Sequence, residues 1–223
     1  MFRTALFGAP LLLFSCILAE AQGTGARVKV NGMQMYYEVS GAGEPLVVLH
    51  GAYMNIPTMG AIIPQLAKTH KVYALELQGH GRTTDIDRPI TYQNLADDVA
   101  AFMDAVGLPK ADVFGYSMGA GAGLQFAIRH PAKLNKLVAA SVALGSGADH
   151  RRRRRRATLE HTVALFKLLG GGVMGDMGKP LPASRLAVLP ATSHTAVITQ
   201  ADLLQALIKP FLKGQVPKSM FEK

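Results

Sequence analysis

Four short apolar runs, Pro45 to His50, Lys71 to Glu76, Ala111 to Tyr116 and Asn135 to Leu144, alternate along the chain with stretches of helical periodicity. Runs of this length without polar alternation suit strands buried on both faces, and such strands belong to parallel sheets covered by helices. Met33 to Val39 alternates as a half-exposed strand, and Arg185 to Leu189 reads as a last one. Thr91 is placed to cap a helix whose Leu95, Val99, Phe102 and Val106 form one apolar stripe before Gly107 ends it. Met118 to Arg129, Leu159 to Leu169 and Ala201 to Leu212 read as further helices. This succession predicts the α/β class, with a mostly parallel sheet flanked by helices.

The chain has 223 residues, of which 49% are hydrophobic, enough for a sizeable core and too many for an intrinsically disordered or fibrous protein. Its net charge of +9 is local, because removing the six arginines Arg151 to Arg156 leaves +3. The start follows a different logic. Arg3, the apolar stretch Ala5 to Leu18 and the small residues around Glu20 read as a secretory signal over residues 1–21, leaving 22–223 as the domain, with an Arg-rich insertion at 149–157. The expected location is therefore exported, periplasmic or secreted. A retained membrane anchor is the alternative, and Cys16 offers a lipid anchor as a lesser one. Beyond residue 21 the chain has no cysteine, so no disulfide is available to it.

Gly115-Tyr116-Ser117-Met118-Gly119 fits G-x-S-x-G directly after an apolar run and directly before a helix. Glycines at both ends relieve the crowding of a sharp strand-to-helix turn that would push Ser117 into the open near a helix N-terminus. A glycine-rich turn in which Ser117 only caps the helix is the competing reading. Three further turns follow predicted strands: His50-Gly51-Ala52-Tyr53, Gln78-Gly79-His80-Gly81-Arg82-Thr83 and Pro190-Ala191-Thr192-Ser193-His194. The backbone N–H groups of Ala52 and Met118 are candidates for an oxyanion hole, and His194 for the base.

In these elements and their order, Leu49-His50-Gly51, Gly79-His80-Gly81, Gly115 to Gly119 and the late His194, the chain resembles the α/β-hydrolase superfamily, its small lipase, esterase and enol-lactonase branch. The resemblance spans nearly all of the chain beyond the signal. It implies Ser117 as nucleophile, His194 as general base and acid, Ala52 and Met118 as oxyanion donors, and a small-molecule ester or lactone as substrate. It implies no metal and no cofactor.

The chain departs from this pattern after Leu144. The resemblance implies a cap of several helices and then an apolar strand ending in an acid, yet Gly145 to His150 leads straight into the arginines. The cap and one late strand are expected to be missing, which makes this a truncated α/β-hydrolase fold. Asp149 is the candidate triad acid, with Asp176 and Glu160 as the other local choices; the competing reading pairs Asp149 with the adjacent arginines. Arg151 to Arg156 read as a solvated segment capable of weak contact with an anionic surface. No aromatic residues interleave with them, so nucleic acid is not expected as the main partner.

The remaining histidines read as structural. His50 and His80 shape their turns, His130 ends a helix, and His70, His150 and His161 are expected to face solvent, with no spacing that suggests a metal site. Tyr53, Met54, Tyr116 and Met118 either line an apolar pocket or pack between sheet and helices. Two function classes follow: an exported serine hydrolase of small esters or lactones, and a non-catalytic remnant of such an enzyme. A cofactor-free perhydrolase or haloperoxidase-like activity would use the same residues.

Overall fold

The alternation of side chains along a strand explains why these runs are apolar throughout. In the strand Glu44–Leu49, Val47 and Leu49 belong to one buried cluster while Leu46 and Val48 belong to another on the opposite face. The strands His70–Leu75, Ala111–Tyr116 and Leu134–Ala140 divide in the same way, so the sheet is covered on both sides. The computed structural model describes residues 24–141, 161–167, 184–189 and 201–214. Residues 1–23, with the expected signal, and the arginine run lie outside them.

Among the described residues eight strands form one sheet: β1 (Thr24–Val30), β2 (Met33–Ser40), β3 (Glu44–Leu49), β4 (His70–Leu75), β5 (Ala111–Tyr116), β6 (Leu134–Ala140), β7 (His161–Lys167) and β8 (Ser184–Leu189). Their order is β1-β2-β4-β3-β5-β6-β7-β8. The centre, β4-β3-β5-β6, is parallel, whereas β2 runs antiparallel to β1 and β4, and β7 antiparallel to β6 and β8. All strands except β2 and β7 thus share one direction. This is the expected mostly parallel sheet.

Helix α1 (Ile62–Ala67) covers one face together with α4 (Ala201–Leu212), whose Ile208, Phe211 and Leu212 are buried against the sheet. Helices α2 (Tyr92–Ala105) and α3 (Met118–Arg129) cover the other. The stripe expected on α2 is buried at Leu95, Val99 and Phe102, and its start is capped as predicted, with Thr91 Oγ1 accepting from the Asn94 N–H at 3.1 Å. Burying a side chain such as Phe102 contributes about 1.5–3 kcal/mol.

Two expectations need correction. The segment read as a helix over Leu159 to Leu169 contains β7 instead, paired antiparallel with β6 from Lys136↔Lys167 to Ala140↔Val163. Its short run Thr162-Val163-Ala164-Leu165-Phe166 is as good a strand as a helix turn, and the unpaired edge of β6 supplies the backbone partners that decide between them. The place beside β6 is therefore filled by a strand of reversed direction. His70 was expected to face solvent, yet it is buried at the start of β4, where burial pulls its imidazole below the usual histidine range.

Candidate functional site

All the turns singled out in the sequence that are described lie at the carboxyl ends of β3, β4 and β5, the edge of a parallel sheet where ligands bind. Between β5 and α3 stands a single residue, Ser117, at φ 52° and ψ −108°. This conformation is sparsely populated for a residue with a side chain and costs on the order of 1–3 kcal/mol, so its surroundings must hold it. Four backbone hydrogen bonds do so. Ser117 N–H donates to Ala140 O at 2.9 Å, Ser117 O accepts from the Ala120 and Gly121 N–H groups at 3.1 Å each, and Gly119 N–H donates to His50 O at 3.1 Å.

The glycines at the two flanks are required by close approach. A Cβ on Gly115 would stand 2.2 Å from Gly119 O, and one on Gly119 would stand 2.4 Å from Leu49 O. Farther along α3, Gly121 lies under the Tyr92 ring and Gly123 under Leu137, so these small residues bring α2 and β6 close. The Ser117 side chain makes no capping hydrogen bond to α3, which removes the reading of Ser117 as a mere helix cap.

Ala52 is exposed in the turn after β3, and Met118 opens α3, where the first N–H groups of a helix have no partner within it. Among the described residues neither Ala52 N–H nor Met118 N–H donates a hydrogen bond. His50, two residues before Ala52, is buried and doubly bonded: its Nδ1 is 2.7 Å from Gly51 O and its Nε2 accepts from the Leu77 N–H at 3.0 Å. Burial holds this imidazole neutral, with its pKa lowered to about 4. The expectation that His50 and His80 shape their turns agrees with this geometry, since His80 Nδ1 likewise lies 2.8 Å from Gln78 O and the two rings stand 5.1 Å apart.

A carboxylate that the sequence reading passed over ties these turns together. Glu76 is fully buried just beyond β4 and accepts from Ile56 N–H at 3.3 Å, from Arg82 Nε at 3.1 Å and from Arg82 Nη2 at 2.7 Å, besides a short bond from Arg82 N–H. Burial alone would raise its pKa, but the bonds from Arg82 and Ile56 outweigh it and lower the value. Arg82 also pairs with Glu38 at 3.1 Å and lies 3.7 Å over the Tyr36 ring. The signal was a single acid at the end of an apolar run, since a buried charge needs a partner. Arg88 plays a similar part beside it, bridging buried Asp98 at 2.6 Å and Gln78.

Of the four residues proposed as pocket walls, Tyr116 is buried in the core, Met54 and Met118 pack partly against it, and Tyr53 is 100% exposed at φ 60°. Among the described residues no group of three or more His, Cys, Asp or Glu is placed to hold a metal ion. His194 and Asp149, the proposed base and acid, lie outside the described residues, as do Asp176 and Glu160.

Residues 44–173, from β3 through β7, match the family model described as the alpha/beta hydrolase fold. The chain belongs to the α/β-hydrolase family. Among curated relatives, it is 31% identical over 121 residues to the 2-hydroxymuconate semialdehyde hydrolase of Pseudomonas sp. strain CF600, a match covering 51% of this chain and 42% of that one. The soluble epoxide hydrolase of Corynebacterium sp. strain C12 is 33% identical over 47% of this chain and 36% of its own. Among solved structures, a bacterial membrane phospholipase A superposes with a TM-score of 0.51 at 25% identity, over 53% of this chain and 39% of the other. The chain thus spans less than half the length of these relatives. The matched stretch of this α/β-hydrolase contains both the serine turn and the proposed oxyanion turn.

Proposed function

We propose that this protein is a serine hydrolase that cleaves small carboxylic esters or lactones through an acyl-enzyme intermediate. The observation that carries the reading is the Ser117 turn: a strained serine between β5 and α3, beside two backbone N–H groups without partners among the described residues. Strain kept at one polar residue, where glycine would relieve it, is typical of functional positions. The relatives named hydrolase support the same class.

In this reading Ser117 Oγ attacks the carbonyl carbon of the ester while His194 takes its proton. The Ala52 and Met118 N–H groups hold the oxyanion, and removing one such donor typically costs about 3–4 kcal/mol of barrier. His194 then protonates the leaving alkoxide. Water, activated by the same imidazole, attacks the acyl-enzyme and restores Ser117. Asp149 is the proposed acid orienting His194. Export after removal of residues 1–21 belongs to the same proposal.

The test is labelling of the purified protein with a fluorophosphonate, alongside Ser117→Ala and His194→Ala, with p-nitrophenyl acetate turnover followed in parallel. Labelling and turnover that vanish with Ser117→Ala are the expected result. A folded protein that neither labels nor turns over ester would sink the reading and leave the non-catalytic alternative. Asp149→Asn, assayed next, should lower the rate without abolishing labelling.

A further inference from the structure

The Gly51 carbonyl lies 2.7 Å from His50 Nδ1 and accepts from the Met54 N–H at 3.3 Å. The other ring nitrogen, Nε2, faces the Leu77 N–H at 3.0 Å and so carries no proton, which puts the ring proton on Nδ1, facing Gly51 O. The Gly51–Ala52 peptide is trans. In a trans peptide the C=O and N–H point in opposite directions, so whatever holds the Gly51 oxygen also sets where the Ala52 N–H points. A Cβ on Gly51 would meet Met54 and the Tyr116 ring at 3.0 Å each, so the peptide has little room on that side.

We infer that His50 is a positioning residue: its Nδ1–H, anchored through Nε2 to the Leu77 N–H, orients the Gly51–Ala52 peptide so that the Ala52 N–H faces the reacting oxygen. The two ring nitrogens then have separable duties. Nδ1 aims the donor, and Nε2 fastens the ring to the turn after β4. The consequence for rate rests on the hydrolase reading of Ala52, but the orientation of the peptide does not.

Two substitutions separate the duties. In His50→Gln the side-chain amide reaches the place of Nε2 and keeps an acceptor for the Leu77 N–H but loses the donor to Gly51 O. His50→Asn keeps a donor at the place of Nδ1 and leaves the Leu77 N–H unpaired. We expect His50→Gln to retain Tm while kcat on p-nitrophenyl acetate falls toward the roughly 100-fold or greater loss that follows removal of an oxyanion donor. KM should stay within about twofold, because the interaction is made in the transition state. His50→Asn should lose Tm and recover most of kcat. Crystal structures should show the Gly51–Ala52 peptide turned in His50→Gln and retained in His50→Asn.

If kcat follows Tm in both variants, or the peptide is unmoved in His50→Gln, the positioning role is overturned and His50 merely stabilises the turn. Should the parent protein show no Ser117-dependent turnover, the hydrolase reading falls, and the peptide orientation in the two crystal structures still decides the role of His50.

Discussion

The Gly119 N–H donates to the carbonyl oxygen of His50 at 3.1 Å, joining the start of α3 to the turn after β3. One bond thereby links the two turns that carry the proposed oxyanion donors. A methyl group at residue 119 would approach Leu49 O to 2.4 Å and His50 O to 2.7 Å, and both are backbone atoms that cannot rotate away. Gly119→Ala should therefore cost at least about 3 kcal/mol and abolish fluorophosphonate labelling. Gly107→Ala is the control: residue 107 has φ 70° and open space around it, so only the left-handed backbone is penalised, by about 1–2 kcal/mol. Urea unfolding of the two variants checks the difference; equal losses would contradict it.

The Glu76–Arg82 pair is asymmetric, and its two halves should not cost the same to remove. The Glu76 side chain is 0% exposed and that of Arg82 38%, so Arg82 left alone is hydrated while Glu76 left alone is a buried charge. Breaking a buried pair in that way typically costs about 3–5 kcal/mol. Arg82→Met should approach that figure, softened by the bonds from Ile56 and Arg82 N–H that remain. Glu76→Gln, which retains acceptors for those groups, should cost about 1–2 kcal/mol. Chemical denaturation of the pair decides, and Glu76→Gln proving the more damaging would reverse the argument.

Two buried groups should make opposite contributions to the pH dependence of stability. Burial lowers His50 to about 4, so the folded state resists a proton that the unfolded chain takes up; its stabilising effect is full above about pH 6.5 and is lost as pH falls towards 4. Asp112 moves the other way. Burial raises it to about 6, only partly countered by Lys136 at 3.5 Å, and its Oδ1 has no partner among the described residues. The folded state holds that proton more tightly, so the Asp112 contribution is present below about pH 4 and lost as pH rises through 6. Asp112→Asn removes the second effect alone. Relative to the parent, the variant should gain up to about 3 kcal/mol as pH rises from 4 to 6, measured by denaturation at each pH. A pH-independent difference would show that Asp112 titrates normally.

Tyr53 combines a left-handed backbone, φ 60°, with a side chain that is 100% exposed. Its ring contributes no burial to offset the strain. Tyr53→Asn, a residue that tolerates this region, should raise stability by up to about 1 kcal/mol. Thermal unfolding reads the change; a loss of Tm would mean that the ring has a partner in the folded protein.

Much of the central fold was legible because its signals are local. The runs around Val47, Val72, Val113 and Val138 lack polar alternation since both faces of the sheet are covered, and the strands expected there are found as β3 to β6, the last ending at Ala140, with residues 142–144 of its expected run outside the described residues. Thr91 and Gly107 bounded α2 as expected because capping and a positive φ, here 70°, are properties of single residues. Strand β1 was passed over although Val28 and Val30 alternate with Arg27 and Lys29, and His70 was misread because its sequence neighbours Thr69 and Lys71 are polar. Burial of a histidine at a strand start depends on how the strand packs in the sheet, where His70 pairs in register with Glu44 of β3, and its sequence neighbours do not show this.

The sequence by itself determined that a parallel, doubly covered sheet would present a glycine-flanked serine at its carboxyl edge, because side-chain period and glycine placement restrict the backbone residue by residue. Tertiary structure alone decided the rest. Whether residues 161–167 would be helix or strand was settled by the open edge of β6, and the partners of Glu76 and of the Gly51 carbonyl by turns that meet only once β3, β4 and β5 are side by side. Hydrogen bonds and charge pairs between distant segments carry no periodic trace in the chain, since they are satisfied by position in space and not by spacing in sequence.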